Sequence, residues 1–423
     1  MNFPSLEEVF VDDCGSLTTL FPSSVAKNLG KLRTLELKCC AELVEIVEKD
    51  DDAMEHGTTE MFEFPFLSLL HLYKLPLLSC FYPGKNHLVC PVLERLHVAR
   101  CPHLELFTSE FHDSNIQVRS TSQPLFSIEK FVPTLKVLTL NEKSIISLSD
   151  EHFPQNLLCK LNDLWLYFED HKSEKHSLPF DLFHKVPSLE HLRVRNCFGL
   201  KEIFPSQKLL VHDGVLARLK ELFLLCLEEL ESIGLEQPWV KPYSEKLQIL
   251  HLSKCPRLEQ LVCCTVSFIN LKEIVVTLCG RMEYLFKSST ATSLVQLEIL
   301  VIQDCESTKE IVTEDASHKI VFGRLKTLRL HSLPRLVRFY SGNATLQFLC
   351  LEKATVAKCP NIKTFSEGVV NAPMLLGIQT SSREDSDLTF HNYLNTTIHR
   401  LFQKQISGLI DYVSASFLLR MDM

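Results

Sequence analysis

Leu247-Gln-Ile-Leu250-His-Leu252-Ser-Lys-Cys255-Pro-Arg-Leu258-Glu-Gln-Leu261 is the stretch from which the fold can be read. Its skeleton, L-x-x-L-x-L-x-x-C-x-x-L-x-x-[LI], returns in Leu32-Leu35-Leu37-Cys40-Leu43-Ile46, in Leu93-Leu96-Val98-Cys101-Leu104-Phe107 and in Leu189-Leu192-Val194-Cys197-Leu200-Ile203. A further copy runs Leu297-Leu300-Ile302-Cys305-Ile311, and others open at Leu6, Leu67, Leu135, Leu161, Leu219, Leu271, Leu325 and Leu351. That makes thirteen copies between Leu6 and Phe365. The opening leucine returns after 26 residues from Leu6 to Leu32, from Leu67 to Leu93 and again from Leu325 to Leu351. A period of this size marks an architecture built by stacking one unit many times.

Within each copy the central L-x-L has the period of two of a strand whose alternate side chains face opposite sides. The flanking apolar groups, spaced by three, bring the chain round and back, which predicts short helical or irregular turns on the return side. One coil buries too little to fold alone, so stability must come from neighbours that share its apolar faces and extend its strand into a parallel sheet. The expected fold is therefore an α/β repeat: a leucine-rich-repeat solenoid, curved like a horseshoe, with a parallel β-sheet on the concave face and a C-terminal capping helix.

Cysteine fills the consensus slot in eight copies: Cys14, Cys40, Cys101, Cys197, Cys255, Cys279, Cys305 and Cys359. The slot turns the chain out of the strand, and a small thiol with weak donor capacity suits a position that must bond to buried backbone. Leu75, Leu227 and Leu333 stand there instead in three copies, whose turns need other partners.

A chain of 423 residues exceeds an ordinary single core, but a solenoid grows by addition. Its formal charge of −8 argues against a nucleic-acid surface, which needs a basic stripe. With no apolar run of membrane-spanning length and no signal peptide, the expectation is a soluble, intracellular, cytoplasmic protein whose sixteen cysteines are free thiols. The sequons at Asn343 and Asn395 then go unread. Since Met1 to Leu6 enter a repeat with no polar capping unit, the sequence reads as a shortened chain lacking its N-terminal part.

Residues 1–365 form the array, interrupted by a polar run at 48–63 and a Ser/Thr/Gln-rich stretch at 108–133, both expected as loops. The segment from Leu20 to Val47 aligns without gaps on that from Leu285 to Val312, so the array grew by copying blocks. Residues 366–405 should cap it, because Phe390, Leu394, Ile398, Leu401 and Phe402 recur at helical spacing. The tail, 406–423, is apolar but interrupted by Asp411.

Three phrases go beyond repeat physics: Ser23 to Val47, Leu72 to Phe81, and Leu388-Thr-Phe-His-Asn-Tyr-Leu-Asn-Thr-Thr-Ile-His-Arg-Leu-Phe402. They resemble the C-terminal leucine-rich-repeat region of plant nucleotide-binding leucine-rich-repeat disease-resistance proteins of the coiled-coil class, over roughly residues 1–405. The resemblance implies a cytoplasmic immune receptor whose repeats sense a pathogen effector, directly or through a guarded host protein, and restrain a nucleotide-binding domain of the parent receptor. This sequence has no G-x-x-x-x-G-K-[ST] loop of its own. An F-box-type substrate adaptor for ubiquitination is the rival reading, but its repeats continue C-x-x-I-T-D, unlike Cys101-Pro-His-Leu-Glu-Leu-Phe107.

The candidate partner-binding residues are those between and after the paired leucines: Trp165, Tyr167 and Phe168, then His191, Arg193 and Arg195, then Phe223. On neighbouring strands they would form one aromatic and arginine patch, the residue types that dominate binding hot spots. Scattered outward-facing residues, or a loop at 169–177 folded over them, would account for the same sequence. His71 and His97 share a column, with Glu36 nearest, which is too few ligands for a zinc site. No nucleophile elbow or comparable turn points to catalysis. The expectation is a protein partner, with no enzyme activity, cofactor, metal, nucleic acid or membrane.

Overall fold

The computed structural model describes residues 3–49, 59–108, 124–127, 134–149, 153–154, 157–168, 178–204, 216–235, 237, 240–262, 266–316, 319–380, 388–389, 394–400 and 402–403. The chain folds as two compact units, the first comprising Met1–Lys172, Leu178–Cys197 and Leu209–Arg218, the second Ser173–Ser177, Phe198–Lys208 and Leu219–Met423.

In the first unit the L-x-L segments form parallel strands β1 (Glu8–Asp12), β2 (Thr34–Lys38), β3 (Leu69–Tyr73), β4 (Arg95–Ala99), β5 (Val137–Asn141), β6 (Asp163–Tyr167) and β7 (His191–Arg195), paired in that order. Register is kept from coil to coil: Leu35 lies beside Leu70, Leu70 beside Leu96, Leu138 beside Leu164 and Leu164 beside Leu192. Those leucines stack in a buried column, and Leu37, Leu72, Val98, Leu140, Leu166 and Val194 make a second. A slip of one residue would turn both columns to water, which is why the register holds.

The second unit repeats the plan in β8 (Glu221–Leu225), β9 (Ile249–Ser253), β10 (Glu273–Thr277), β11 (Ile299–Gln303), β12 (Thr327–His331), β13 (Lys353–Ala357) and the short β14 (Ile378–Gln379). These are parallel, and β15 (Leu388–Thr389) closes the edge antiparallel to β14.

Eleven coils turn out of the strand through a residue with positive φ, none of them glycine: Asp13, Cys39, Lys74, Arg100, Asn196, Cys226, Lys254, Leu278, Asp304, Ser332 and Lys358. Each directly precedes the cysteine or leucine of the consensus slot. The left-handed bend aims that residue's own N–H at the next strand's last carbonyl, as Lys254 to Thr277 and Asp304 to His331, both 3.0 Å. Leucine-slot turns use the same device, with Cys226 donating to Ser253 at 2.8 Å.

The return side departs from the expected helical or irregular turns. Much of it is short parallel strands, such as Phe286–Lys287 beside Glu310–Thr313 and that beside Arg338–Tyr340, or Ile320–Phe322 beside Leu346–Phe348. Aromatic side chains pack on one another there; Phe339 stacks on Phe365 at 5.5 Å and Phe322 on Phe348 at 5.3 Å. The two insertions are likewise only partly loops. Glu60–Glu63 pairs with Asn86–Val89, and Phe126–Ser127 with Phe107–Thr108, because Phe62, Leu125 and Phe126 have apolar side chains to bury. Residues 50–58, 109–123 and 128–133 of these insertions, and the tail from 406, lie outside the described residues.

Four further points position the surface. The helix Glu142–Ser149 replaces the left-handed turn after β5; Asn141 caps it, its Oδ1 accepting from the Ser144 N–H at 2.9 Å. The buried Lys185 Nζ donates to the Leu148 carbonyl at 2.9 Å and stands over the Phe153 ring. The block duplication recurs as structure, with Phe21–Pro22 and helix Ser23–Ala26 matched by Phe286–Lys287 and helix Ser288–Ala291. Finally, residues 394–400 are helical and bury Leu394, Thr397 and Ile398. Of the expected cap helix, Phe390 and Leu401 lie outside the described residues, while Phe402 is held near Lys363.

Candidate functional site

Strand alternation that buries the leucines leaves the intervening residues in open columns. In the first unit the middle column is Phe10, Glu36, His71, His97, Thr139, Trp165 and Arg193, one per coil and in register, with Thr139 buried among its neighbours.

Trp165 is 38 % exposed at the centre of β6. The Arg193 guanidinium, one strand over, stands 4.5 Å above its ring. Arg193 is held there by Asp163, with Nη1 donating to the two carboxylate oxygens at 2.5 and 2.6 Å. His191 Nδ1 stands 3.9 Å from the same carboxylate. Arg193 is thus a clamp over the indole, its charge largely met within the coil pair.

On the other side of Trp165, His97 lies edge-on at 6.2 Å, with Nδ1 2.8 Å from Thr139 Oγ1, and His71 lies 5.2 Å further on. Burial pushes His97 down to about 4, helped by the neighbouring His71, and burial likewise lowers His71. Both imidazoles are neutral at pH 7. Glu36 is held below the usual carboxylate range chiefly by its hydrogen bond from Lys38, 2.5 Å away. No group of three or more His, Cys, Asp and Glu among the described residues is placed to hold a metal ion.

A second string runs along the strand ends. Arg100 lies 5.9 Å from the Tyr73 ring and 5.8 Å from that of Tyr167, and its Nε donates to the Tyr167 hydroxyl at 2.6 Å. Asn196 Nδ2 donates to the same oxygen at 3.0 Å, and Arg195 stands over Tyr167 at 5.9 Å. The positive φ of Arg100 and Asn196 swings both out of the strand to reach that phenol. Arg100 was not among the sequence candidates, because it occupies a turn slot filled elsewhere by Lys, Asp or Cys; its signal was the tyrosine on either side.

The expected patch therefore needs three corrections. Phe168 is 3 % exposed and belongs to the core: it shares the parity of Leu164 and Leu166, so alternation sends it inward. Tyr167 is also largely covered, beneath Arg100 and Arg195. Phe223 belongs to the second unit, where it lies edge-on to His251 at 4.6 Å, and His251 Nε2 is 2.9 Å from Glu273 Oε1. The 169–177 segment lies outside the described residues.

The cysteine column supports these surfaces from behind. Cys101 Sγ lies 3.5 Å from the Ala99 carbonyl and 3.7 Å from that of Leu72; Cys305 and Cys359 repeat the pair of contacts, and Cys255, Cys279 and Cys40 bond at least to the carbonyl two residues back. Cys197 is buried in the same column, whereas Cys14, in the first coil, is exposed. Burial pushes the thiols of Cys305 and Cys359 up to about 12 and about 11, so they stay protonated donors.

No helix among the described residues is long and apolar enough to cross a membrane. The family described as plant disease resistance protein RPS2-like, leucine-rich repeats, matches residues 1–41, 132–267 and 265–371. With well over half its length so matched, and with its coils built on the leucine and cysteine columns described above, the chain belongs to that family of plant disease-resistance leucine-rich repeats.

Proposed function

We propose that this chain is the protein-binding sensor module of a cytoplasmic plant immune receptor of the coiled-coil, nucleotide-binding class, and that it acts by surface complementarity without turnover. Its partner is a pathogen effector or a guarded host protein. In a parent receptor the same array restrains the nucleotide-binding domain until that partner arrives. The observation that carries the reading is the open Trp165–Arg193–Asp163 cluster. An exposed indole held rigid by a clamped guanidinium is a preorganised anchor, which loses little side-chain freedom on binding. Family membership supports the setting in disease resistance.

The test is capture of candidate effectors and host proteins by the immobilised chain, compared with Trp165→Ala and Arg195→Ala. Both side chains are exposed, so circular dichroism should be unchanged while capture weakens by about tenfold or more, the scale of a hot-spot residue. Undiminished capture by both variants would remove this face from the function.

A further inference from the structure

The middle column of the first unit sets two imidazoles beside the Trp165 anchor. His71 on β3 and His97 on β4 lie 5.2 Å apart by ring centroid, and His97 meets the indole edge-on at 6.2 Å. His97 Nδ1 is 2.8 Å from Thr139 Oγ1, and His71 also meets the Tyr73 ring at 6.4 Å. A pair so close takes up its first proton against the cost of burial and a second against the charge of the first.

The charges around the pair decide what a proton there does. On β2, Glu36 lies 3.6 Å from His71 Nδ1 but already holds Lys38 at 2.5 Å. β4 itself adds the cation Arg95, and β5 sets only the uncharged Val137 and Thr139 between it and β6. Besides Glu36, the carboxylate whose field favours a charged His97 is Asp163 on β6, while His71 and Arg95 oppose that charge. Asp163 is also the group that fixes Arg193 over Trp165, through contacts of 2.5 and 2.6 Å, and His191 Nδ1 on β7 stands 3.9 Å from it. A charged His97 and Arg193 therefore draw on one carboxylate, and what Asp163 yields to the first is lost to the clamp on the indole.

We propose that the His71–His97 pair is a proton-sensitive latch on the Trp165 anchor: proton uptake by the pair pulls Asp163 from Arg193, loosens the guanidinium from the indole and weakens partner binding in acid. It rests on the sensor reading above for the partner and adds a regulation of that same site. The latch itself can be read on the chain alone.

The test uses the full chain with Trp239→Phe, which leaves Trp165 as its one tryptophan. Acrylamide quenching of the indole fluorescence is followed from neutral pH down to the lowest pH at which circular dichroism is unchanged. The Stern–Volmer slope should rise about twofold, with a midpoint below the ~6.5 of a free imidazole. His71→Gln with His97→Gln should leave the slope flat over the same range. His97→Arg, charged at every pH, should show the raised slope already at neutral pH, so the outcome does not depend on the chain surviving acid. A double-glutamine form that still responds to acid, or a His97→Arg form quenched no more than its parent at neutral pH, would overturn the inference. Capture at neutral pH tests the sensor reading separately. If Trp165→Ala weakens capture while quenching ignores both histidines, only the latch falls; if quenching follows the histidines while Trp165→Ala leaves capture intact, only the sensor reading does.

Discussion

Leu278 sits 43 % exposed with a φ of 57°, a conformation that crowds any side chain with a Cβ. Its N–H bond to Gln303 needs only the backbone, so Leu278→Gly keeps the bond, relieves the crowding and removes an exposed apolar group. A gain of about 0.5–1 kcal/mol is expected, read as a higher urea midpoint with an unchanged slope. Gly234 is the opposite case: its φ is +76° and a Cβ there would lie 2.0 Å from the Phe204 carbonyl oxygen, so Gly234→Ala should cost at least about 2 kcal/mol. Thiol chemistry gives a third check. Ellman's reagent should label Cys14 and Cys159 in the native chain and leave Cys101, Cys305 and Cys359 unmodified until it unfolds. Titration gives a fourth. His97 has a folded value of about 4 against about 6.5 unfolded, so between those values the unfolded chain binds a proton that the folded one refuses. Stability should be full above pH 6.5 and fall as pH drops toward 4, and His97→Gln should flatten that fall in urea melts.

At the scale of the element, the strands were legible because a period of two with paired leucines admits few alternatives, and the cap helix because its apolar spacing changed to that of a helix. What the pattern could not show was how the cap is attached. Asn395 does this: Oδ1 accepts from the Phe365 N–H at 2.9 Å and the Thr364 hydroxyl at 3.1 Å, while Nδ2 donates to the Ser366 carbonyl at 2.9 Å. That gives a physical reason for a phrase which the repeat alone does not require. Asn395→Ala should cost about 1–3 kcal/mol locally and speed amide exchange at Phe365, whereas an intact exchange profile would show that apolar packing alone seats the helix. The helix Glu142–Ser149 carries its own signals, an N-cap at Asn141 and an i, i+3 pair in Ile145 and Leu148, but the repeat pattern, which puts a turn at that slot, hides them. Phe168 is buried because its parity, which it shares with Leu164 and Leu166, counts for more than its aromatic character.

Over the whole molecule, exposed ion pairs join successive coils, among them Lys136–Glu94, Lys309–Glu283 and Lys326–Glu298. Each is worth little in water, so the leucine columns and not these pairs hold the coils together. The candidate surface was only partly legible for a related reason. Sequence gives the parity of a side chain but not which charges cancel, and Arg193 proves to be engaged by Asp163 while Arg100, outside the strand pattern, joins two tyrosines.

The strict register has one further result. Along the described strands, residues whose side chains pack in the shared columns alternate with residues that do not. Phe10 or Arg329, both exposed, can be exchanged while the leucines beneath them stay unaltered. In a family of disease-resistance repeats, such a ribbon lets its outer residues change one at a time without disturbing the spine beneath them.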